Sequence, residues 1–171
     1  MQRETIRYAV PEDAAALASL GARSFQDTYA AFNTAENMAL HLASTFSPEQ
    51  QRSEIEDPNG FILVAQASDL IAYAHVTREI VPPAVGDGKA LEVKRFYVDR
   101  SWHGRGVAQR LMTATCKAAA ERGAATVWLT VWDRNPRAIA FYRKVGFTDA
   151  GFIPFRLGNE TQTDFLMVKA L

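Results

Sequence analysis

The chain has 171 residues, and its 19 Lys and Arg balance its 19 Asp and Glu. A formal net charge of zero argues against nucleic-acid binding, which needs a basic surface, and no run of 18 apolar residues is present to cross a membrane. The one cysteine, Cys116, allows no internal disulfide, and an N-terminus carrying Arg3, Glu4 and Arg7 lacks the apolar core of a secretory signal, so a reducing, cytoplasmic location is expected.

In chain order, residues 6–10 alternate as a short strand. Pro11, Glu12 and Asp13 then open a helix with Leu17, Leu20 and Phe25 on its apolar side. Thr34 caps a second helix over 35–45. Ser47, Pro48, Glu49 and Gln50 read as a capping box with proline at the first helical position, opening a third. Residues 61–67 and 71–79 form two strands around Ser68 and Asp69. Pro82, Pro83, Gly86 and Gly88 make 80–89 a loop. A strand at 91–98, a helix at 105–122, a strand at 126–132 and a helix at 136–145 follow. Two last strands, 148–157 and 163–169, flank Gly158 and Asn159. With no repeat, linker or low-complexity segment, the chain is expected to be one mixed α/β domain over 1–171. His41, His75 and His103 lie far apart with no second cysteine, so no metal site is expected.

The most informative stretch runs from Val98 through Asp99, Trp102, His103, Gly104, Arg105, Gly106 and Val107 to Ala108. It joins a strand to a helix through a glycine turn. Backbone N–H groups converge at such a junction, and the helix dipole favours an anion there. Glycines let a phosphate approach where a Cβ would stand. The P-loop pattern is absent, and Gln109 stands where a dinucleotide fingerprint needs its third glycine. A second stretch opens with Asn135 as N-cap and Pro136 at the first helical position. It continues through Ala138, Phe141 and Tyr142 to Gly146 and Phe147.

The two stretches together resemble the GNAT superfamily of acyl-CoA-dependent N-acyltransferases. His103 takes the Gln or Arg place of that family's pyrophosphate loop, Gly106 its glycine place and Ala108 its last place. Asn135 to Phe147 matches N-x-x-A-x-x-F-Y-x-x-x-G-F throughout. The segment from Ser24 to Tyr29, that from Asn33 to Met38 and the ending from Gly158 to Asp164 are similar to the polyamine (spermidine/spermine) branch. The resemblance implies an α/β (α+β) fold: a mixed, mostly antiparallel sheet, splayed at the CoA site, with helices on both faces. It implies acetyl-CoA as co-substrate and, by analogy, a homodimer.

The resemblance also implies site residues. Phe96, Tyr97 and Val98 lie where strands splay and pair with pantetheine. His103, Gly104, Arg105, Gly106, Val107 and Ala108 form the pyrophosphate loop, chiefly through backbone N–H groups. His103 departs from the usual residue, which puts its charge contribution to the loop in question. Asn135 caps its helix and also holds the cofactor. Tyr142 faces the CoA sulfur as proton donor. Glu92 stands where many members place a base acting through water; an ordinary strand-edge acid is the alternative.

Charge is unevenly spread. Residues 1–60 hold nine acids and four bases, net −5, while 89–148 hold twelve bases and four acids, net +8. The reading is an acceptor-side arm over 1–60 and an acetyl-CoA-binding core over 91–147, with Asp27, Tyr29 and Glu36 as acceptor contacts. Solvated helix faces are the alternative for the acidic arm. The expected activity is acetyl transfer to a polyamine, with a protein N-terminus or another small amine as alternative acceptor. A non-catalytic acyl-CoA sensor is the reading from another class.

Overall fold

The computed structural model describes residues 3–86 and 88–171; Asp87 of the expected 80–89 loop lies outside the described residues. One sheet holds β1 (Thr5–Tyr8), β2 (Gly60–Gln66), β3 (Leu70–Thr77), β4 (Ala90–Val98), β5 (Thr126–Trp132), β6 (Thr148–Leu157) and β7 (Glu160–Ala170). Its spatial order is β1-β2-β3-β4-β5-β7-β6, antiparallel at every step except β4–β5. The helices are α1 (Ala14–Tyr29), α2 (Ala35–Thr45), α3 (Pro48–Glu56), α4 (Val107–Glu121) and α5 (Pro136–Lys144). This is the mixed, mostly antiparallel α/β sheet with helices on both faces that the resemblance implied.

Strand alternation assigns the two faces. Leu63, Ala65, Ala72, Ala74, Val127, Leu129 and Val131 meet Val107, Leu111 and Met112 of α4 and Ile139 and Tyr142 of α5. Ile62, Val64 and Tyr73 meet Leu17 and Leu20 of α1 on the opposite face. Phe25, Met38, Phe46 and Leu157 gather α1, α2 and the β6 end into a further cluster. No described helix is long and apolar enough to cross a membrane.

β4 is where the period of two breaks. It pairs with β3 from Ala72↔Val98 to His75↔Arg95 and resumes at Val76↔Val93, which leaves Lys94 as an extra residue. A bulge of this kind switches which face later side chains reach. Leu91 and Val93 therefore share the α4–α5 face with Phe96 and Val98, while Arg95 and Tyr97 turn toward α1–α3. Against β5, β4 pairs only at Ala90↔Thr126, Leu91↔Val127 and Glu92↔Trp128. Beyond Glu92, β4 stays with β3 while β5 stays with β7 as far as Trp132↔Asp164. The sheet opens into a wedge whose apex is Glu92.

Element boundaries differ from expectation for local reasons. The first strand ends at Tyr8 because the Val10 amide donates to Asp13 Oδ2 at 2.8 Å, starting a 3-10 turn over Pro11–Asp13. Ser47 caps α3 by accepting from the Gln50 amide at 3.0 Å, but the Gln50 side chain turns forward to Glu54 at 2.9 Å, so only half of the capping box forms. α4 starts at Val107 rather than 105, because Gly106 has φ of 77° and ends the loop in the left-handed region. β7 begins at Glu160, directly opposite Leu157, so Gly158 and Asn159 alone make the turn. That turn docks on α2: Asn37 Oδ1 accepts from the Asn159 amide at 3.1 Å, and a Cβ on Gly158 would lie 2.5 Å from the same oxygen.

Arg95, placed by the bulge, meets Glu54 of α3 in a two-pronged pair at 2.6 and 2.7 Å. Both side chains are almost buried, at 8% and 11% exposure. Removing one partner from such a pair strands the other charge and typically costs about 3–5 kcal/mol, whereas replacing both with apolar groups is often neutral. Glu54→Ala is therefore expected to lower the urea-unfolding free energy by about that amount, and Glu54→Leu with Arg95→Met to recover most of it. A loss below about 1 kcal/mol for Glu54→Ala would show that water reaches the pair.

Candidate active site

The wedge forms a cleft of about 1130 Å³. One wall is β4, contributing Glu92, Val93, Arg95, Phe96, Tyr97 and Val98. A second is the loop into α4, a third is α5 with Asn135 and Tyr142, and the far end is closed by α1, α2 and the β6–β7 hairpin.

The loop is held open by its own contacts. Asp99 accepts from the Ser101 amide at 3.0 Å and its hydroxyl at 2.6 Å, starting a 3-10 turn over Arg100–Trp102. Gly104 and Gly106 both take positive φ, 75° and 77°. The first bond of α4 runs from the Arg110 amide to Gly106 O at 3.1 Å. Helix geometry leaves the amides of Val107, Ala108 and Gln109 without intrahelical acceptors, at the positive end of the helix dipole. Arg105 lies over the Trp102 ring at 4.9 Å. Arg110 donates to Arg105 O at 3.1 Å and also to Glu4, bracing the loop from behind. His103 Nε2 donates to Val98 O at 2.8 Å. The acceptor is a carbonyl, so this nitrogen carries the proton, and the ring clasps the loop to the end of β4. With the proton on Nε2, Nδ1 of the neutral ring is an acceptor, so the expected phosphate contact is left to the backbone amides.

Phe96 stacks on Phe141 at 5.8 Å and meets the Tyr142 ring edge-on at 6.3 Å. Tyr142 is 9% exposed and lines the cleft, and burial pushes its phenol well above the usual range. It keeps its proton at any working pH. Asn135 Oδ1 accepts from the Ala138 amide at 3.2 Å, which starts α5. Its Nδ2 group is the part left for a ligand.

Glu92 sits at the apex of the wedge. Burial is the largest influence on it and raises its pKa to about 7, with Lys94 lowering and Glu79 raising it. A carboxyl half-ionised near neutrality is suited to taking a proton. Asp27 and Tyr29 line the cleft, Asp27 at an exposed rim and Tyr29 stacked on Phe25 at 4.3 Å. Glu36 does not join them: it lies in the first turn of α2, exposed and outside the cleft lining.

Four of the nine acids of the acidic arm are paired with arginines, the exposed Glu56 with Arg52 at 4.0 Å among them. Asp13 pairs with Arg7 at 2.8 Å, Glu54 with Arg95, and Glu4 with Arg110. The net −5 of residues 1–60 is thus no measure of the field in the cleft. Sequence reasoning missed His41, Phe155 and Asp164, all of which line it. Asp164 had a signal: it occupies the same face of its strand as Leu166 and Val168, an acid on an apolar side. His41 and Phe155 had none, because their meeting depends on the hairpin turn docking on α2.

The sequence of the Acetyltransferase (GNAT) family matches this chain over residues 23–147. An uncharacterized N-acetyltransferase of Mycobacterium bovis is 33% identical over 160 residues, covering 93% of this chain and 98% of its own. Another, from Lactobacillus delbrueckii subsp. lactis, is 30% identical over 154 residues, covering 90% and 89%. In three dimensions the chain is similar to the PaiA N-acetyltransferase of Thermoplasma acidophilum in complex with coenzyme A, with a TM-score of 0.80, 22% identity and coverage of 98% and 99%. The chain belongs to the GNAT family. It is an N-acetyltransferase of that type, with acetyl-CoA as its co-substrate.

The loop geometry makes a prediction. An Ala at Gly106 bears the left-handed strain, about 1–2 kcal/mol, and displaces the end of Arg110, 2.7 Å from its Cβ, or it swings the turn and its amides away. Gly106→Ala is expected to weaken acetyl-CoA binding at least about tenfold by calorimetry. Gly123, at the far end of α4 with φ of 82° and open space around its Cβ, is the control. Gly123→Ala should cost similar stability and leave affinity unchanged. Equal affinity in the two variants would remove the phosphate from this loop.

Proposed function

We propose that the enzyme transfers the acetyl group of acetyl-CoA directly to a primary amine of a polycationic acceptor, spermidine or spermine in type. The observation that carries this reading is the polarity of one cleft: a glycine-shaped anion loop at one end and unpaired carboxylates at the other. Pantetheine lies along Phe96, Tyr97 and Val98, where β4 has no neighbour on the wedge side. The pyrophosphate takes the amides from Gly104 to Gln109, and exposed Arg100 and Arg137 at the cleft margin suit the remaining phosphate. Residues 1–60 supply the acceptor side and 91–147 the cofactor side of a single catalytic domain, in the cytoplasm.

An alkylamine has a pKa near 10.4, so only about one in a thousand is neutral at pH 7. Glu92, near pKa 7, takes the proton through a water molecule as nitrogen attacks the thioester carbonyl. The tetrahedral intermediate then collapses, the carbon–sulfur bond breaks, and sulfur carries the electron pair away. Tyr142 donates to that sulfur, and the second proton leaving the acylated nitrogen restores the phenol. A phenol raised by burial is a weaker acid than a thiol near 8.5, so the proton moves only as the bond breaks. Asp27 and Tyr29 stand beside the entering acceptor.

Two outcomes follow. The ionised form of Glu92 is the active one, so kcat/KM should rise with pH through about 7. Glu92→Gln should remove that limb, act most severely near neutrality and recover in part at pH 9–10, where free amine is plentiful. A uniform loss at every pH would make Glu92 a positioning group. In a panel of amines read by CoA thiol release, spermidine and spermine should outrank monoamines and peptide N-termini, with a KM that rises with ionic strength. Peptides at the head of the panel, or a KM indifferent to salt, would overturn the polyamine acceptor and leave acetyl transfer standing.

A further inference from the structure

Asp164 lies near the middle of β7, opposite Trp132 of β5 and Ile153 of β6. It is only 4% exposed, yet it lines the cleft. Its Oδ1 has no hydrogen-bond partner, and none of the ion pairs among the described residues includes it. Burial raises its pKa to about 6 against the hydrogen bond from Thr130, so at pH 7 it is a carboxylate without a counter-ion, a costly state found where something else supplies the missing charge. Of the other acids that line the cleft, Glu54 already has Arg95, Glu92 is half-buried at the apex and Asp27 is exposed.

The surroundings of Asp164 are aromatic. Tyr29 stacks on Phe25 at 4.3 Å, Phe25 on His41 at 4.1 Å, His41 meets Phe155 at 6.0 Å, and Phe155 returns to Tyr29 at 6.5 Å. All four line the cleft. Trp132, the β5 partner of Asp164, backs Tyr29 at 4.9 Å. The Tyr29 phenol feels the charge of Asp164 and lies in the field of Tyr142 as well, so the carboxylate, the aromatic ring and the proton donor share one neighbourhood. Burial lowers the pKa of His41, which keeps it neutral at pH 7, so the ring brings no cation of its own. Aromatic faces attract ammonium groups, and more strongly where water is excluded.

Which nitrogen binds there follows from electrostatics. A carboxylate beside an ammonium favours its charged form and opposes its deprotonation. A nitrogen held by Asp164 is therefore kept from attacking. The reacting nitrogen belongs between Glu92 and Tyr142, and the nitrogen at Asp164 is a different one.

We propose that Asp164 and the faces of Tyr29, His41 and Phe155 bind a second, non-reacting cationic centre of the acceptor, so that the enzyme selects amines carrying two or more separated charges. This rests on the reading of the chain as an amine acetyltransferase and adds the residues that set its selectivity. Asp164 is a binding residue: no proton or acetyl group passes through it.

The test compares butane-1,4-diamine with n-butylamine, equal in chain length and different by one charge. Wild-type enzyme should prefer the diamine in kcat/KM by at least about tenfold. Asp164→Asn keeps the shape and removes the charge. It should erase the preference by raising KM for the diamine at least about tenfold, with kcat for either amine, KM for butylamine and acetyl-CoA affinity within about twofold of wild type. Phe155→Leu keeps the charge and removes one aromatic face. It should raise the diamine KM by about two- to fivefold, and it serves as the test if Asp164→Asn does not fold. Equal use of the two amines by wild type, an equal loss for both in Asp164→Asn, or an unchanged diamine KM in Phe155→Leu overturns the proposal and leaves the acetyltransferase reading intact. Turnover with no amine at all overturns both.

Discussion

One constraint governs this molecule: β4 cannot hydrogen-bond to β5 beyond Glu92. Backbone N–H and C=O groups in an interior must find partners, and six residues of β4 past the apex face β5 across a wedge instead of a ladder. The bulge at Lys94 makes the departure structural. It changes the parity of β4, so that Phe96 and Val98 pack toward α5 and α4 while Arg95 turns to Glu54. A ligand with amides spaced along a chain satisfies such a wall better than water does, because its groups are already tethered. The same opening brings the first turn of α4 and the Tyr142 phenol to one cleft.

Charge within the cleft is sorted by pairing more than by composition. The loop end gains its positive character from backbone amides and the helix dipole, with the nearby cations serving partly as braces: Arg105 lies on Trp102, and Arg110 holds Glu4 and Arg105 O. Of the nine acids of the first sixty residues, Glu4, Asp13, Glu54 and Glu56 are matched by arginines. What remains for a ligand is a short set: Glu92, poised near neutrality by burial, Asp27 at the rim, and Asp164 without a counter-ion. These three are the carboxylates among the described cleft-lining residues that have no ion-pair partner.

Much of the fold was legible because its signals are local. Proline at the first helical position placed α3 and α5, and Thr34 capped α2 with a bond from the Asn37 amide at 3.1 Å. The spacing of Gly104 and Gly106 located the turn into α4, although it did not foretell the 3-10 turn before it or the bond from His103 to Val98 O. Contacts made across long separations were not legible. Glu54 and Arg95 stand 41 residues apart and meet only because one extra residue in β4 rotates Arg95 to α3. Asn37 meets the Gly158–Asn159 turn across more than a hundred residues, and that contact brings Phe155 to His41. Glu36, taken as an acceptor contact from its neighbours in sequence, faces solvent because helix periodicity turns Asn37 and Met38 inward instead.

The central claim is that the open side of β4 and the amides before and within the first turn of α4 are where acetyl-CoA lies. Amide hydrogen exchange with and without acetyl-CoA tests it most directly, because it reports on the backbone groups themselves. Binding should slow exchange in segments 93–98 and 104–109 together, with smaller change in β1 and β2 on the far side of the sheet. Saturating acetyl-CoA that protects neither segment, or protects only elements away from the wedge, would contradict the account.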